Sequence, residues 1–393
     1  MSDTFCVLPW IHLATHPHGG TSLCCVTDFK DGAGMSKDGE NYYNLNKNTI
    51  TEHMNSEVFK NARLNMLNGK IPNPCKRCYI EESKNITSKR LIENNNYSDF
   101  TIEHARKITN ENGFIDPNLE FVELRLGNIC NVKCVTCNPA SSSKWIQDYK
   151  ILNKELDYVT DYQNCSTSNW HDKELFWNDL FDKTAHVKTF YINGGEPTLV
   201  KAHWNFIKKL IDTGRTNVTL WYNINMTNIP AYAFDLWKKF NKVLISCSID
   251  DLEDRNYYIR FPTKWQDVEK NLNKLLQHKW LDVSVNQTIS LYNYYYLPEF
   301  WDYMNNKNIF VHHNYVYDPD FLSPLALPLD FRKECHKKFE TCNWESWRTN
   351  NLLNMFTAPS NDTLIEKSKR YIKLLDNIRK ISFNNFFPEV NIL

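Results

Sequence analysis

The run GNICNVKCVTC places Cys130, Cys134 and Cys137 in a C-x3-C-x2-C spacing directly after FVELRL, Phe121 to Leu126. FVELRL reads as a short buried strand and a helix-like stretch begins near Ser142, so the three thiols sit on a strand-to-helix turn. Thiolates crowded on one turn point to soft-metal chemistry. A cubane iron-sulfur cluster has four irons, and three protein cysteines leave one of them open to a further ligand. The same triplet also suits half of a zinc site or a redox pair.

A second signal, YINGGEP (Tyr191 to Pro197), ends another β-type run, VKTFYIN. Paired glycines let a ligand approach bare backbone, Glu196 offers a carboxylate to an ammonium group, and Pro197 ends the ladder. Further strands are predicted at Val218 to Asn225, Lys242 to Ile249, Asp282 to Ser290 and Asn308 to Tyr315. Helix-length segments such as FDLWKKF and WQDVEKNLNKLLQ separate them. Strands alternating with helices predict βαβ units, a parallel sheet and an α/β fold.

With the triplet and GGEP in this order, the chain resembles the radical S-adenosylmethionine (SAM) enzymes. The resemblance implies a partial (β/α)6 TIM-like barrel whose cluster loop follows the first strand, the functional face being the strand C-terminal one. It implies a [4Fe-4S] cluster on Cys130, Cys134 and Cys137, with SAM on the open iron. One electron then splits SAM into methionine and a 5'-deoxyadenosyl radical. Gly194, Gly195, Glu196 and Pro197 are implied to grip the SAM amino group. Ser246, Ser248 and Asp250 are implied contacts to ribose or carboxylate, Arg260 to the methionyl carboxylate, and Asn286 is a further contact. Each of these also suits a local structural hydrogen bond. Thr136 stands where the family often has a bulky residue, so adenine packing has to come from elsewhere.

The N-terminal region carries a separate constellation. Cys6 precedes Pro-Trp, HLATHPHGG leads to Cys24-Cys25, and Cys75 and Cys78 follow in NPCKRC. With the Met66 to Cys78 run, this resembles the twitch half of the SPASM domain, which binds an auxiliary iron-sulfur cluster. Cys6, Cys24, Cys75 and Cys78 are the implied ligands of a [4Fe-4S] or [2Fe-2S] cluster, with Cys25 either replacing Cys24 or staying free. Two thiolate pairs also suit structural zinc. His12, His16 and His18 are expected in a polar loop. In the resembled family this module usually follows the barrel, whereas here it precedes it.

The expected layout is a twitch-like domain at 1–90, a linker at 91–117 around the Asn-rich IENNNYSDF, a barrel at 118–325, and a helical extension at 326–393. The apolar tail ISFNNFFPEVNIL is expected to dock on the barrel. Net charge is +0, which disfavours broad attraction to nucleic acid or anionic membrane. No apolar run is long enough to span a bilayer, and MSDTFCVLPW lacks the features of a signal peptide. The twelve cysteines are therefore read as reduced thiols and metal ligands in a cytoplasmic protein, with Cys165, Cys247, Cys335 and Cys342 unassigned. The resemblance implies a peptide or protein substrate and a reducing partner such as flavodoxin or ferredoxin. A dehydrogenase of a small polar metabolite, such as an amino sugar or nucleotide, is the alternative, and a non-catalytic metal-binding module is the reading from another class. No catalytic acid or base is nominated.

Overall fold

The computed structural model describes residues 4–83, 85–162, 165–342 and 344–390. Two units partition the chain. The first is Met1–Ile129, Thr167–Tyr222 and Asp235–Lys242; the second is Cys130–Ser166, Asn223–Phe234 and Val243–Leu393.

In the first unit, β1 (His12–Thr15) and β2 (Thr21–Ser22) pair antiparallel, Ala14 opposite Ser22. The turn between them closes through the His16 amide donating to the Gly20 carbonyl at 2.8 Å, with Gly19 at φ 90°. A small separate hairpin joins β3 (Lys37–Asp38) and β4 (Asn41–Tyr42). On its other side β1 runs parallel to β5 (Phe121–Arg125), with Ala14 opposite Glu123. Parallel pairing continues from β5 to β6 (Thr189–Asn193) and from β6 to β7 (Thr219–Ile224). Period-two burial explains these strands: Val122, Leu124, Phe190, Ile192 and Leu220 are fully buried, while Thr189, Tyr191, Asn193 and Trp221 are half-buried on the opposite face.

The N-terminal segment is woven into this unit. Phe5, Val7, Leu8, Trp10, Ile11 and Leu13 are buried. Arg63, fully buried, donates to the carbonyls of Gly113, Pro9 and Met54 at 2.8–2.9 Å and so ties three segments together. Burial lowers its pKa to about 9, which leaves it cationic at neutral pH. Segment 91–117, read from the sequence as a linker, contains the end of the helix Lys89–Asn96 and the helix Ile102–Ile108, with Tyr97, Ile102, Ala105 and Ile115 buried. Its asparagines misled the reading because Asn94 turns inward, accepting from the Val7 amide at 2.8 Å and donating to the Phe5 carbonyl at 2.9 Å.

In the second unit, β8 (Lys242–Ser248), β9 (Leu281–Ile289) and β10 (Phe310–Tyr315) run parallel in chain order. Val243, Ile245 and Cys247 are buried, and Ser248 stands opposite Asn286. The helix Trp265–Leu276 between β8 and β9 buries Trp265, Val268, Leu272 and Leu275, the single apolar stripe of a surface helix. The helix Asp362–Arg379 ends at Lys380 in the left-handed conformation, φ 56°. Phe383, Phe387 and Val390 of the tail are fully buried, with both phenylalanines against Tyr258 and Tyr292; Asn391–Leu393 lie outside the described residues. The α/β class predicted from the sequence, with parallel strands alternating with helices, is what these units contain. No helix among the described residues is long and apolar enough to cross a membrane.

Candidate metal centres

The three-cysteine loop belongs to the second unit. Cys130, Val132 and Cys134 are buried together and Cys137 packs against them. The turn is held by its backbone. Lys133 and Val135 donate amides to the Phe261 and Ile259 carbonyls, each at 2.8 Å, and the Cys137 amide bonds the Cys134 carbonyl at 2.9 Å. Side chains bond carbonyls of the turn as well: Ser142 Oγ reaches Val132 at 2.6 Å, Trp145 Nε1 is a second donor to Cys134 at 3.0 Å, and Arg379 Nη2 reaches Lys133 at 2.6 Å. Two donors point at sulfur, Arg260 Nη1 to Cys134 Sγ at 3.5 Å and Asn225 Nδ2 to Cys130 Sγ at 3.8 Å. Burial raises the Cys134 and Cys137 pKa values; Arg260 opposes this at both, and for Cys137 the neighbouring Cys134 and Cys130 raise it further. A soft cation would replace those protons on binding.

The other predicted contacts of this unit sort by engagement. Asp250 is fully buried; its Oδ1 accepts from the Thr288 amide at 2.8 Å, and its Oδ2 lies 2.9 Å from Arg260 Nε as a charge contact without hydrogen-bond alignment. Burial raises its pKa against the pull of Arg260. In this arrangement Asp250 holds Arg260 toward the thiols. Ser246 is buried with Oγ 3.4 Å from Ser284 Oγ, Asn286 donates to Asn223 Oδ1 at 3.1 Å, and Ser248 and Thr136 are half-buried. Sequence reasoning missed Asn225 and Arg379. The polar end of VTLWYNIN was a signal for the first; nothing local marks the second, which acts across 246 positions.

The GGEP segment belongs to the first unit. Gly194 and Gly195 both have positive φ, 81° and 55°. A Cβ on Gly194 would come within 2.6 Å of the Arg125 Cα, and one on Gly195 would strike the Ile129 carbonyl, so both positions demand glycine. The Glu196 amide donates to that carbonyl at 2.7 Å, which fixes the residue directly preceding Cys130. Glu196 is buried, and its Oε1 accepts from the Thr198 amide at 3.1 Å and hydroxyl at 2.7 Å. Pro197 is buried beside it.

Also in the first unit, Cys6, Cys24, Cys75 and Cys78 line one small cavity of about 20 Å³, together with Met66 and Arg90. Arg90 and Asn94 both bond the Phe5 carbonyl, and Thr27 Oγ1 and the Asp28 amide both bond the Pro74 carbonyl, which brings the three cysteine segments to one place. Burial pushes the Cys6 thiol up to about 12 and raises Cys24 and Cys75, with neighbouring thiols adding to each. Cys25 does not line the cavity; its thiol feels Glu123, Lys89 and Arg125 instead. His12, expected in a loop, is buried in β1 and stacked on Phe121 at 4.4 Å. Among the described residues, no three or more His, Cys, Asp or Glu side chains are arranged to hold a single metal ion.

No protein-family model matches the sequence, and no curated protein matches it. Solved structures similar to the chain include native anSMEcpe with bound AdoMet, at 17% identity and TM-score 0.41, covering 61% of this chain and 63% of that one. Another is TYW1 with a lysine-pyruvate adduct bound, at 16% identity and TM-score 0.33, covering 57% and 75%. A third is Streptococcus suis SuiB bound to precursor peptide SuiA, at 14% identity and TM-score 0.36, covering 84% and 68%. The match to anSMEcpe thus spans less than two thirds of that protein. At these scores the likenesses carry no argument about activity.

Proposed function

We propose that the chain is a radical SAM enzyme, with Cys130, Cys134 and Cys137 as ligands of a [4Fe-4S] cluster and Cys6, Cys24, Cys75 and Cys78 as ligands of an auxiliary iron-sulfur cluster. The observation that carries the reading is the second unit's loop: buried Cys130 and Cys134 with the partly buried Cys137 packed against them, and the N–H donors of Arg260 and Asn225 aimed at two of the sulfurs. The donor set fits a cluster with one open iron. Held by Cys130, Cys134 and Cys137, such a cluster would supply the electron that cleaves the C–S bond of SAM to methionine and a 5'-deoxyadenosyl radical able to remove hydrogen from a substrate.

The residues themselves position and shield. Arg260, steadied by Asp250, puts positive charge beside the thiols, which favours their anionic form and offers a partner to a carboxylate. Asn225, bonded also to Asn131 Oδ1 at 2.7 Å, fixes its amide toward Cys130. Gly194 and Gly195 leave backbone bare for close approach of a ligand. A peptide or protein side chain is the substrate class that the motif resemblance favours, and a reducing partner would be needed to deliver the electron.

Anaerobic reconstitution with iron and sulfide tests the ligand assignments. About eight irons per chain fits two [4Fe-4S] clusters, about six fits a [2Fe-2S] auxiliary cluster, and zinc with no sulfide overturns the reading.

A further inference from the structure

Next to the four-cysteine cavity, whose lining includes Lys89, the first unit carries a charged cluster on the face of the sheet opposite the buried Val122 and Leu124. Register aligns Ala14, Glu123, Tyr191 and Trp221 in one row across β1, β5, β6 and β7, and Arg125 follows Glu123 on the same face. Glu123 is 1% exposed, and its Oε1 takes both Nε and Nη2 of Arg125, at 3.1 and 3.0 Å. The Arg125 amide is pinned by Thr15 Oγ1 at 2.8 Å, and its Cα abuts Gly194.

Two features of this cluster are not explained by packing. Arg125 spends two of its five N–H donors on one oxygen, and its side chain keeps 31% exposure, so an edge of the guanidinium stays open. Glu123 Oε2 is buried without a hydrogen bond. His12 Nε2 lies 3.9 Å from that oxygen, and burial lowers the His12 pKa to about 3, leaving it neutral. A buried carboxylate left half-satisfied while it orients one arginine is a costly arrangement, and such groups call for a functional explanation. Beside them the Tyr191 and Trp221 rings lie 4.4 Å apart as an aromatic platform.

We propose that Arg125 receives a carboxylate of the substrate, with Glu123 as its positioning residue and the Tyr191–Trp221 pair supporting the adjoining planar or apolar part. A planar carboxylate matches the fork of a guanidinium bidentately. Arg125 is paired with Glu123 and Lys89 with Glu93 at 2.9 Å, so the cluster has no surplus positive charge to hold a phosphate dianion, and it selects a carboxylate by the fork geometry of the exposed guanidinium. Calling the ligand a substrate rests on the radical SAM reading; the binding site itself does not.

Cys25 is a built-in reporter: burial raises the pKa of its half-buried thiol, Glu123 adds to this, and Lys89 and Arg125 oppose it. Cluster-loaded protein without SAM is treated with iodoacetate or with iodoacetamide, and alkylation is followed by mass spectrometry, with half-buried Cys165 as internal reference. The iodoacetate-to-iodoacetamide rate ratio at Cys25 is expected to exceed that at Cys165 by about tenfold. Arg125→Gln should bring it down to the Cys165 value, and Arg125→Lys, which keeps the charge but not the fork, should retain part of it. Equal ratios at the two cysteines in the unmodified chain, a ratio unchanged by Arg125→Gln, or no labelling of Cys25 by either reagent would each overturn the proposal. The readout is independent of SAM cleavage, so failure here and failure of the radical SAM reading are separate results.

Discussion

The three-cysteine loop and the four-cysteine pocket both gather buried and half-buried thiols at one place, yet they are built in opposite ways. Cys130, Cys134 and Cys137 come from one turn and would be near each other in any fold that kept it. Cys6, Cys24, Cys75 and Cys78 come from three segments and meet only because Arg90, Asn94 and Thr27 tie those segments together. A local motif needs the fold to orient and shield it; a dispersed one needs the fold to exist. The contrast sets which substitutions should act on one site alone.

Cys134→Ala should give the largest effect, loss of SAM cleavage below detection with iron retained in the N-terminal pocket, read by product assay and iron analysis. Retained cleavage would remove the loop from the chemistry. Cys75→Ala with Cys78→Ala should cost about half of the bound iron for a [4Fe-4S] auxiliary cluster, or about a third for a [2Fe-2S] one, while reductive SAM cleavage continues. If cleavage also stops, the two sites are less independent than their construction indicates. Cys24→Ser should lower iron content and Cys25→Ser should not, because only Cys24 lines the cavity; the reverse outcome would exchange their assignments.

Arg379→Ala leaves the Lys133 and Tyr258 carbonyls without their donor and should destabilise the chain by about 2–5 kcal/mol, measured by denaturant unfolding. An unchanged midpoint would mean that other groups hold the loop. Smallest of all, Arg260→Gln removes a cation beside Cys134 and should shift the loop cluster's reduction potential downward, followed by redox titration of its spectrum. An upward shift would contradict the proposed role.

What the sequence disclosed follows the same division. The six main strands were legible because each alternates apolar and polar positions or ends in a distinct polar motif, and the triplet was legible because its spacing is local. The strand His12–Thr15 was not, since all four of its residues are buried and its alternation is lost. The short runs flanking Pro17 to Gly20 were the available hairpin signal. Asn94 read as solvent-facing linker because an asparagine bonding backbone from inside looks the same in sequence as one facing water. Arg379 and Asp250 act through long-range hydrogen bonds and charge contacts that no spacing rule encodes.

The most direct test of the central claim is 5'-deoxyadenosine formation by reconstituted protein given dithionite and SAM under anaerobic conditions, run beside the Cys130→Ala, Cys134→Ala and Cys137→Ala chains. The account requires 5'-deoxyadenosine from the unmodified chain and none from the three variants. Clusters fully loaded with no 5'-deoxyadenosine from the unmodified chain, or formation that survives loss of any of the three cysteines, would contradict it.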